Sequence, residues 1–182
     1  MSLRTLYPSR HFLSRESKMI LCESLVLSQF NYCDVIYGPC LTVSDANRIQ
    51  SIQNSCIRLI YGIRKFQHIS HAFKASCWLN MQGRRFVHSG CLYRNILLTK
   101  TPPYLYNKIS FRTDVHNINI RFKNTITIPA HSSEFFKRCV SYDISSTLND
   151  VSLELNNIFN ISKGDFKRVL LKLATSRRQV IR

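Results

Sequence analysis

Metal-assisted phosphoryl chemistry needs paired carboxylates that hold two divalent ions. This chain has no adjacent acidic pair, and Asp34, which follows Tyr32-Cys33, is itself followed by Val35. A tetrahedral zinc site can be sketched from His68-x2-His71, Cys77 and His88-x2-Cys91, all within 24 residues. The two tight cysteine pairs of a standard zinc motif are missing. The competing reading is a packed Cys91 beside solvated or phosphate-facing histidines. Cys91 beside His88 is also where a thiolate nucleophile would sit, but no third orienting group accompanies them. Neither GxxxxGK(S/T) nor GxGxxG occurs, so no phosphate-cradling nucleotide loop is indicated.

A basic constellation is better founded. Arg64-Lys65-Phe66, Lys74, Trp78, Arg84-Arg85-Phe86, Tyr93-Arg94, Lys100 and Tyr104 interleave cations with aromatic rings. Guanidinium and ammonium groups neutralise phosphates and release counterions, and exposed rings can stack on unpaired bases. The plainer reading of the aromatics puts Trp78 and Phe86 in the core. The expected phosphate-binding set is Arg48, Arg58, Arg64, Lys65, Lys74, Arg84, Arg85 and Arg94, with no catalytic and no metal-ligating residue.

The totals agree with an anionic partner. Among 182 residues, 26 Lys and Arg stand against 10 Asp and Glu, a net charge of +16. Residues 1–60 carry net +2, residues 61–140 carry 13 basic against 2 acidic groups, and residues 141–182 carry net +3. Such an excess points first to nucleic acid and second to an anionic membrane surface. With 45% hydrophobic residues the chain is not of disordered composition, and its length suits one domain or two small ones. Seven widely spaced cysteines without CxxC argue against a secreted disulfide scaffold and for a reducing, intracellular setting, nuclear or cytoplasmic. No apolar run approaches a membrane span, and Arg4, Arg10 and Arg15 are not separated by the apolar stretch of a signal peptide.

The elements that must position these residues read as mainly helical. After an entry segment over residues 1–16, apolar positions 19, 22, 26, 30 and 33 predict a helix from Lys18 to Tyr37, stopped by Gly38-Pro39. Thr42 to Asp45 has capping-box form and opens a second helix to Tyr61, buried through Ile49, Ile52, Cys56, Leu59 and Ile60, with Gly62 as its C-terminal cap. Ile63–Ala75 reads as a basic loop. A third helix follows from about Asn80 to Leu98, buried through Met81, Val87, Cys91, Leu92 and Leu97, with Gly83 and Gly90 each weakening it by roughly 1 kcal/mol. Pro102-Pro103 ends that helix, and the next residues, YLYNKI, suit a short helical turn. Residues 111–129, with alternation in Thr125-Ile126-Thr127-Ile128, read as a loop with one or two short strands, ended by Pro129. Ser132 or Ser133 is expected to cap a helix to about Leu148. Ser162 to Asp165 is another capping box, before Phe166, Val169, Leu170 and Leu173 at i, i+3, i+4 and i+7. Arg177 and Arg178 follow where a helix C-terminus favours cations.

The series LVLSQFNYCDVIYGP, RIQSIQNSCIRLIYGIRK, HIS, WLNMQGRRFVH, TPPYLYNKI and NIRFKNTITIPAHSSEFF, in this order and spacing, resembles the C-terminal part of reverse transcriptases from jockey-like non-long-terminal-repeat retrotransposons. The similarity runs from about Lys18 to Phe136 and more weakly to Leu173. It implies a helical, thumb-like bundle over 17–110 and a post-thumb region over 111–182. It also implies an RNA-directed DNA polymerase whose catalytic palm, with its metal-binding aspartates, lies upstream of the matching region. No cofactor is expected here, since divalent metal belongs to the palm. The partners would be the template–primer and the rest of the polymerase. Gln53, Asn54, Arg58, His68, Trp78, Leu79, Arg84 and Arg85 match family positions, with packing and backbone-contact roles. Two departures stand out: Leu148-Asn149-Asp150-Val151-Ser152 lacks the Trp and Pro of the family's Trp-Asn-x-Leu-Pro turn, and the zinc-knuckle cysteines of some related elements are absent. A Met followed directly by thumb-like sequence suggests a remnant of a truncated element. The alternatives are an independent basic protein that binds nucleic acid or a membrane surface without catalysis, and a metal or thiol enzyme built on residues 68–91.

Overall fold

A computed structural model describes residues 3–115, 125–154 and 161–180. It is mainly helical, and no strand is present among the described residues. The helices are α1 (Leu3–Leu6), α2 (Arg15–Leu21), α3 (Ser28–Asn31), α4 (Asp34–Tyr37), α5 (Val43–Tyr61), α6 (Ser70–Ala75), α7 (Met81–Thr99), α8 (Pro103–Tyr106), α9 (Arg112–Val115), α10 (Val140–Glu154) and α11 (Lys163–Val180). The chain divides into two compact units: Met1–Asp34 with Leu41–Gln82, and Val35–Cys40 with Gly83–Arg182.

The first unit is organised around α5. Its start is fixed chemically: Thr42 Oγ1 accepts from the Asp45 N–H at 3.2 Å and donates to the Asp45 carboxylate at 2.7 Å. Its end is fixed by Gly62, which takes the left-handed conformation at φ 67° while the Ile63 N–H returns to the Arg58 carbonyl at 3.0 Å. Cys56, Ile57, Leu59 and Ile60 are buried with Cys22, Val26, Leu27, Phe73, Trp78 and Met81, and Ile49 and Ile52 pack against them. The expected single helix from Lys18 to Tyr37 is instead interrupted. Ser14 caps α2, a π-helical stretch follows over Cys22–Leu27, and α3 ends at Tyr32. Cys33 then adopts φ 54°, a left-handed conformation that no right-handed helix can contain. The entry segment is structured too, with Leu6 of α1 reaching the core.

A buried polar network joins α5 to the start of α7. The Gln53 amide donates to the Leu79 carbonyl at 2.8 Å. The Gln50 carbonyl oxygen accepts from the Met81 N–H at 3.0 Å, and the Gln50 amide donates to Gln53 and Asn54 at 2.9 and 3.0 Å. This satisfies a helix N-terminal donor and explains why a glutamine with 0% exposure lies in a hydrophobic core.

The second unit packs α7, α10 and α11. Val35, Tyr93, Ile96, Leu97, Ile126, Ile144 and Leu148 form one buried cluster, and Phe166, Leu170 and Ala174 bury the apolar side of α11. The Ser162 cap is as expected: its hydroxyl accepts from the Asp165 N–H at 3.1 Å and donates to the carboxylate at 2.8 Å. Gly90 lies where a Cβ would stand 2.7 and 2.9 Å from the two terminal carbons of Leu170. This close approach is the reason for a glycine in mid-helix. The helix expected from Ser132 or Ser133 begins later, at Val140, after a 3-10 turn over Phe136–Arg138. Among the described residues the expected strands reduce to a single antiparallel bridge, Phe111 to Ile126; residues 116–124 of that reading lie outside them. Asn149 takes over the pairing, since its side chain accepts from the Ile126 N–H and donates to the Ile126 carbonyl, both at 2.8 Å.

Candidate nucleic-acid interface

In the first unit the basic loop is shorter than expected and carries a helix. Gly62 turns the chain out of α5, and Arg64–Gln67 closes as a tight turn. The Gln67 N–H donates to the Arg64 carbonyl at 3.1 Å, and the Gln67 side-chain oxygen accepts from the Arg64 N–H at 3.0 Å. Lys65 and Phe66 occupy the tip, with the Lys65 ammonium 5.7 Å from the Phe66 ring centroid. α6 then buries Ala72 and Phe73 and leaves His71 and Lys74 exposed. Arg64, Lys65, His68, His71 and Lys74 are all exposed. No aspartate or glutamate occurs between Asp45 and Asp114, so no acidic neighbour in sequence offsets them. The surface is a local concentration of cations that an anionic polymer can neutralise.

The remaining members of the expected set divide. Arg48 is exposed on α5, 3.9 Å from Asp45, an exposed ion pair too weak to withdraw it from a competing phosphate. Arg58 is half-buried in the last turns of α5, with an Nε that is shielded from solvent and has no hydrogen-bond partner. In the second unit Arg84 and Arg85 are half-buried. Arg85 lies across Gly38, where a Cβ would come within 2.1 Å of its Cδ, and its guanidinium stands 5.8 Å from the Tyr37 ring. Arg94 must be removed from the set. It is 8% exposed, its guanidinium donates to the Ile161 carbonyl, and it faces the Phe166 ring at 5.1 Å. Its charge therefore anchors α11 instead of reaching solvent. Trp78 is buried as the plainer reading had it, and Phe86 is half-buried.

The second unit also holds a titratable pair that the sequence did not single out. The Tyr93 hydroxyl donates to Asp143 Oδ2 at 2.5 Å. Burial pushes the Asp143 carboxyl above its ordinary value, against the pull of the Tyr93 hydrogen bond and the Arg85 charge. Burial, and then the Asp143 charge, push the Tyr93 phenol well above its ordinary value. The spacing of Tyr93 and Asp143, 50 residues apart, carried no signal of this contact.

The alternative chemistry on residues 68–91 finds no support in the geometry. No group of three or more His, Cys, Asp or Glu side chains able to hold a metal ion forms among the described residues. Burial raises the Cys91 thiol, only partly opposed by Lys167, Lys163 and Arg94, which is the opposite of what a nucleophile requires. No single helix among the described residues is long and apolar enough to cross a membrane. Against family models, curated proteins and solved structures, the chain gave no match.

Proposed function

We propose that this chain is the thumb and post-thumb region of a reverse transcriptase from a transposable element, and that it grips nucleic acid without itself supplying the catalytic carboxylates. The motif series from Lys18 to Phe136 supports the family. The observation that carries the function is the charge: 13 basic against 2 acidic residues over 61–140, with Arg64, Lys65 and Lys74 exposed on one turn-and-helix segment. On this reading the side chains of that segment meet phosphates of the template–primer, while Gln53, Trp78 and Leu79 hold the fold.

The test is binding of the purified chain to an RNA–DNA hybrid, followed by fluorescence anisotropy over a range of salt concentrations. The affinity is expected to fall linearly on a log–log scale, with a slope of about −0.9 per phosphate neutralised on a duplex. Replacing Arg64, Lys65 and Lys74 together by alanine should make the slope shallower by about two to three units, one per lost contact. Absence of binding at low salt, or an unchanged slope in the triple variant, would sink the proposal.

A further inference from the structure

A tight turn ordinarily carries glycine, asparagine, aspartate or serine at its centre, because these residues suit its backbone and lose little in water. The Arg64–Gln67 turn places Phe66 there instead, and the side chain is 92% exposed. Leaving a phenyl ring in water forgoes the favourable burial of its apolar surface. The ring takes no part in the core, which Ile63 and Ile69 on either side of the turn join instead. The turn is closed by its own hydrogen bonds, Gln67 N–H to Arg64 carbonyl and Arg64 N–H to Gln67 side chain. The backbone that carries the ring is thus set before any ligand arrives, which lowers the ordering cost of binding. The Lys65 ammonium stands 5.7 Å from the ring centroid, and Arg64, His68, His71 and Lys74, all exposed, lie within eight residues of Phe66 along the chain.

We infer that Phe66 is a stacking platform for an unpaired base, so that the basic segment of the first unit takes single-stranded nucleic acid, or the single-stranded flank of a duplex. This rests on the reading of the segment as a nucleic-acid surface and adds which form it selects. A base-paired stack buries its π-faces and offers a lone ring nothing; an unpaired base offers a face, while Arg64, Lys65 and Lys74 hold the phosphates on either side. Selection for single strands then comes from the ring, and the salt dependence from the cations.

The experiment compares anisotropy titrations of the chain with a fluorescein-labelled single-stranded oligonucleotide and with a blunt duplex of the same sequence. Phe66→Ala should weaken single-strand binding about 5- to 100-fold, leave duplex binding within about twofold, and leave the salt slope unchanged because no phosphate contact is lost. Phe66→Trp should restore single-strand binding and show indole quenching on titration. Phe66→Leu, equally apolar but without a π-face, should not restore it. Because the ring is exposed and the turn is held by other atoms, these variants should keep the far-ultraviolet circular dichroism of the parent. Steep duplex binding with no effect of Phe66→Ala would overturn the stacking role and leave the grip standing. Loss of binding to both forms in the parent chain would overturn the underlying reading as well. Binding to phosphatidylserine vesicles that Phe66→Leu preserves, with no stacking effect on oligonucleotides, would assign the ring to a lipid surface and overturn the inference.

Discussion

Replacing Gly90 by alanine sets two opposed effects against each other in one helix. Alanine in the interior of α7 should gain about 1 kcal/mol of helix propensity over glycine. The added methyl, however, would stand 2.7 and 2.9 Å from the terminal carbons of Leu170 and 3.4 Å from its Cγ. Leu170 is fully buried on α11, so it has no solvent to move into. Overpacking of this kind costs about 1–3 kcal/mol. The net expectation for Gly90→Ala is neutral to destabilising, by up to about 2 kcal/mol. At roughly 2–4 °C per kcal/mol for a chain of this size, Tm should fall by a few degrees. Leu170→Ala alone should cost about 2–5 kcal/mol. In that background the clash is gone, and Gly90→Ala should become stabilising by about 1 kcal/mol. The sign reversal, a coupling of about 1–3 kcal/mol, is the diagnostic quantity. Urea unfolding followed by circular dichroism on the four members of the cycle measures it. Additive effects, with Gly90→Ala stabilising the parent by a full kilocalorie, would refute the packing of Leu170 onto Gly90.

Other expectations follow from the same contacts. The Asp143 carboxyl is raised in the folded state, so the native chain binds more protons than the unfolded one between about pH 4, the unfolded value, and the folded value. Stability should therefore decline as pH rises through that window and stay level above it; Asp143→Asn should flatten the decline in urea midpoints. Tyr93→Phe removes the hydrogen bond that holds the Asp143 value down, so the decline should extend to higher pH, with a stability loss of about 1–3 kcal/mol at neutral pH. Gln53→Leu leaves the Leu79 carbonyl without its donor and should destabilise by about 1–3 kcal/mol, seen as a lower Tm. Ser162→Ala removes the α11 cap at a cost of about 1 kcal/mol, and a change below the error of the urea midpoint would show that the cap is idle.

Helix α5 was legible because both of its ends are written in local chemistry, Thr42 with Asp45 at one and Gly62 at the other. Its buried face was read incompletely for a physical reason. Gln53 and Ile57 are fully buried, but a glutamine in an apolar stripe signals burial only when its partner, the Leu79 carbonyl 26 residues away, is known. In α7, Met81, Val87 and Leu97 were correctly placed inside, whereas Leu92 is exposed and Tyr93 and Ile96 are buried. Periodicity weights leucine over tyrosine, and the hydroxyl of Tyr93 is tolerated inside only because Asp143 accepts from it. Ser133 does accept from the Phe136 N–H, at 3.4 Å, but the residues it caps form a 3-10 turn and α10 starts only at Val140, a difference the serine itself does not encode. The basic segment was visible as composition. Which cations face solvent was not, since the burial of Arg94 depends on Ile161 and Phe166, which are remote in sequence.

The division of the chain has a consequence for anyone who would take it apart. The path leaves the first unit after Asp34, lends six residues to the second, and comes back at Leu41. No pair of scissors placed at one peptide bond yields both halves whole. A cut after Gln82 would strand Val35, Tyr37 and Gly38 on the wrong piece, taking from the other the glycine across which Arg85 lies. Inheritance meets the same obstacle as the laboratory. Recombination at a single junction could not hand on both units intact, so the two are expected to be gained, lost and shuffled together.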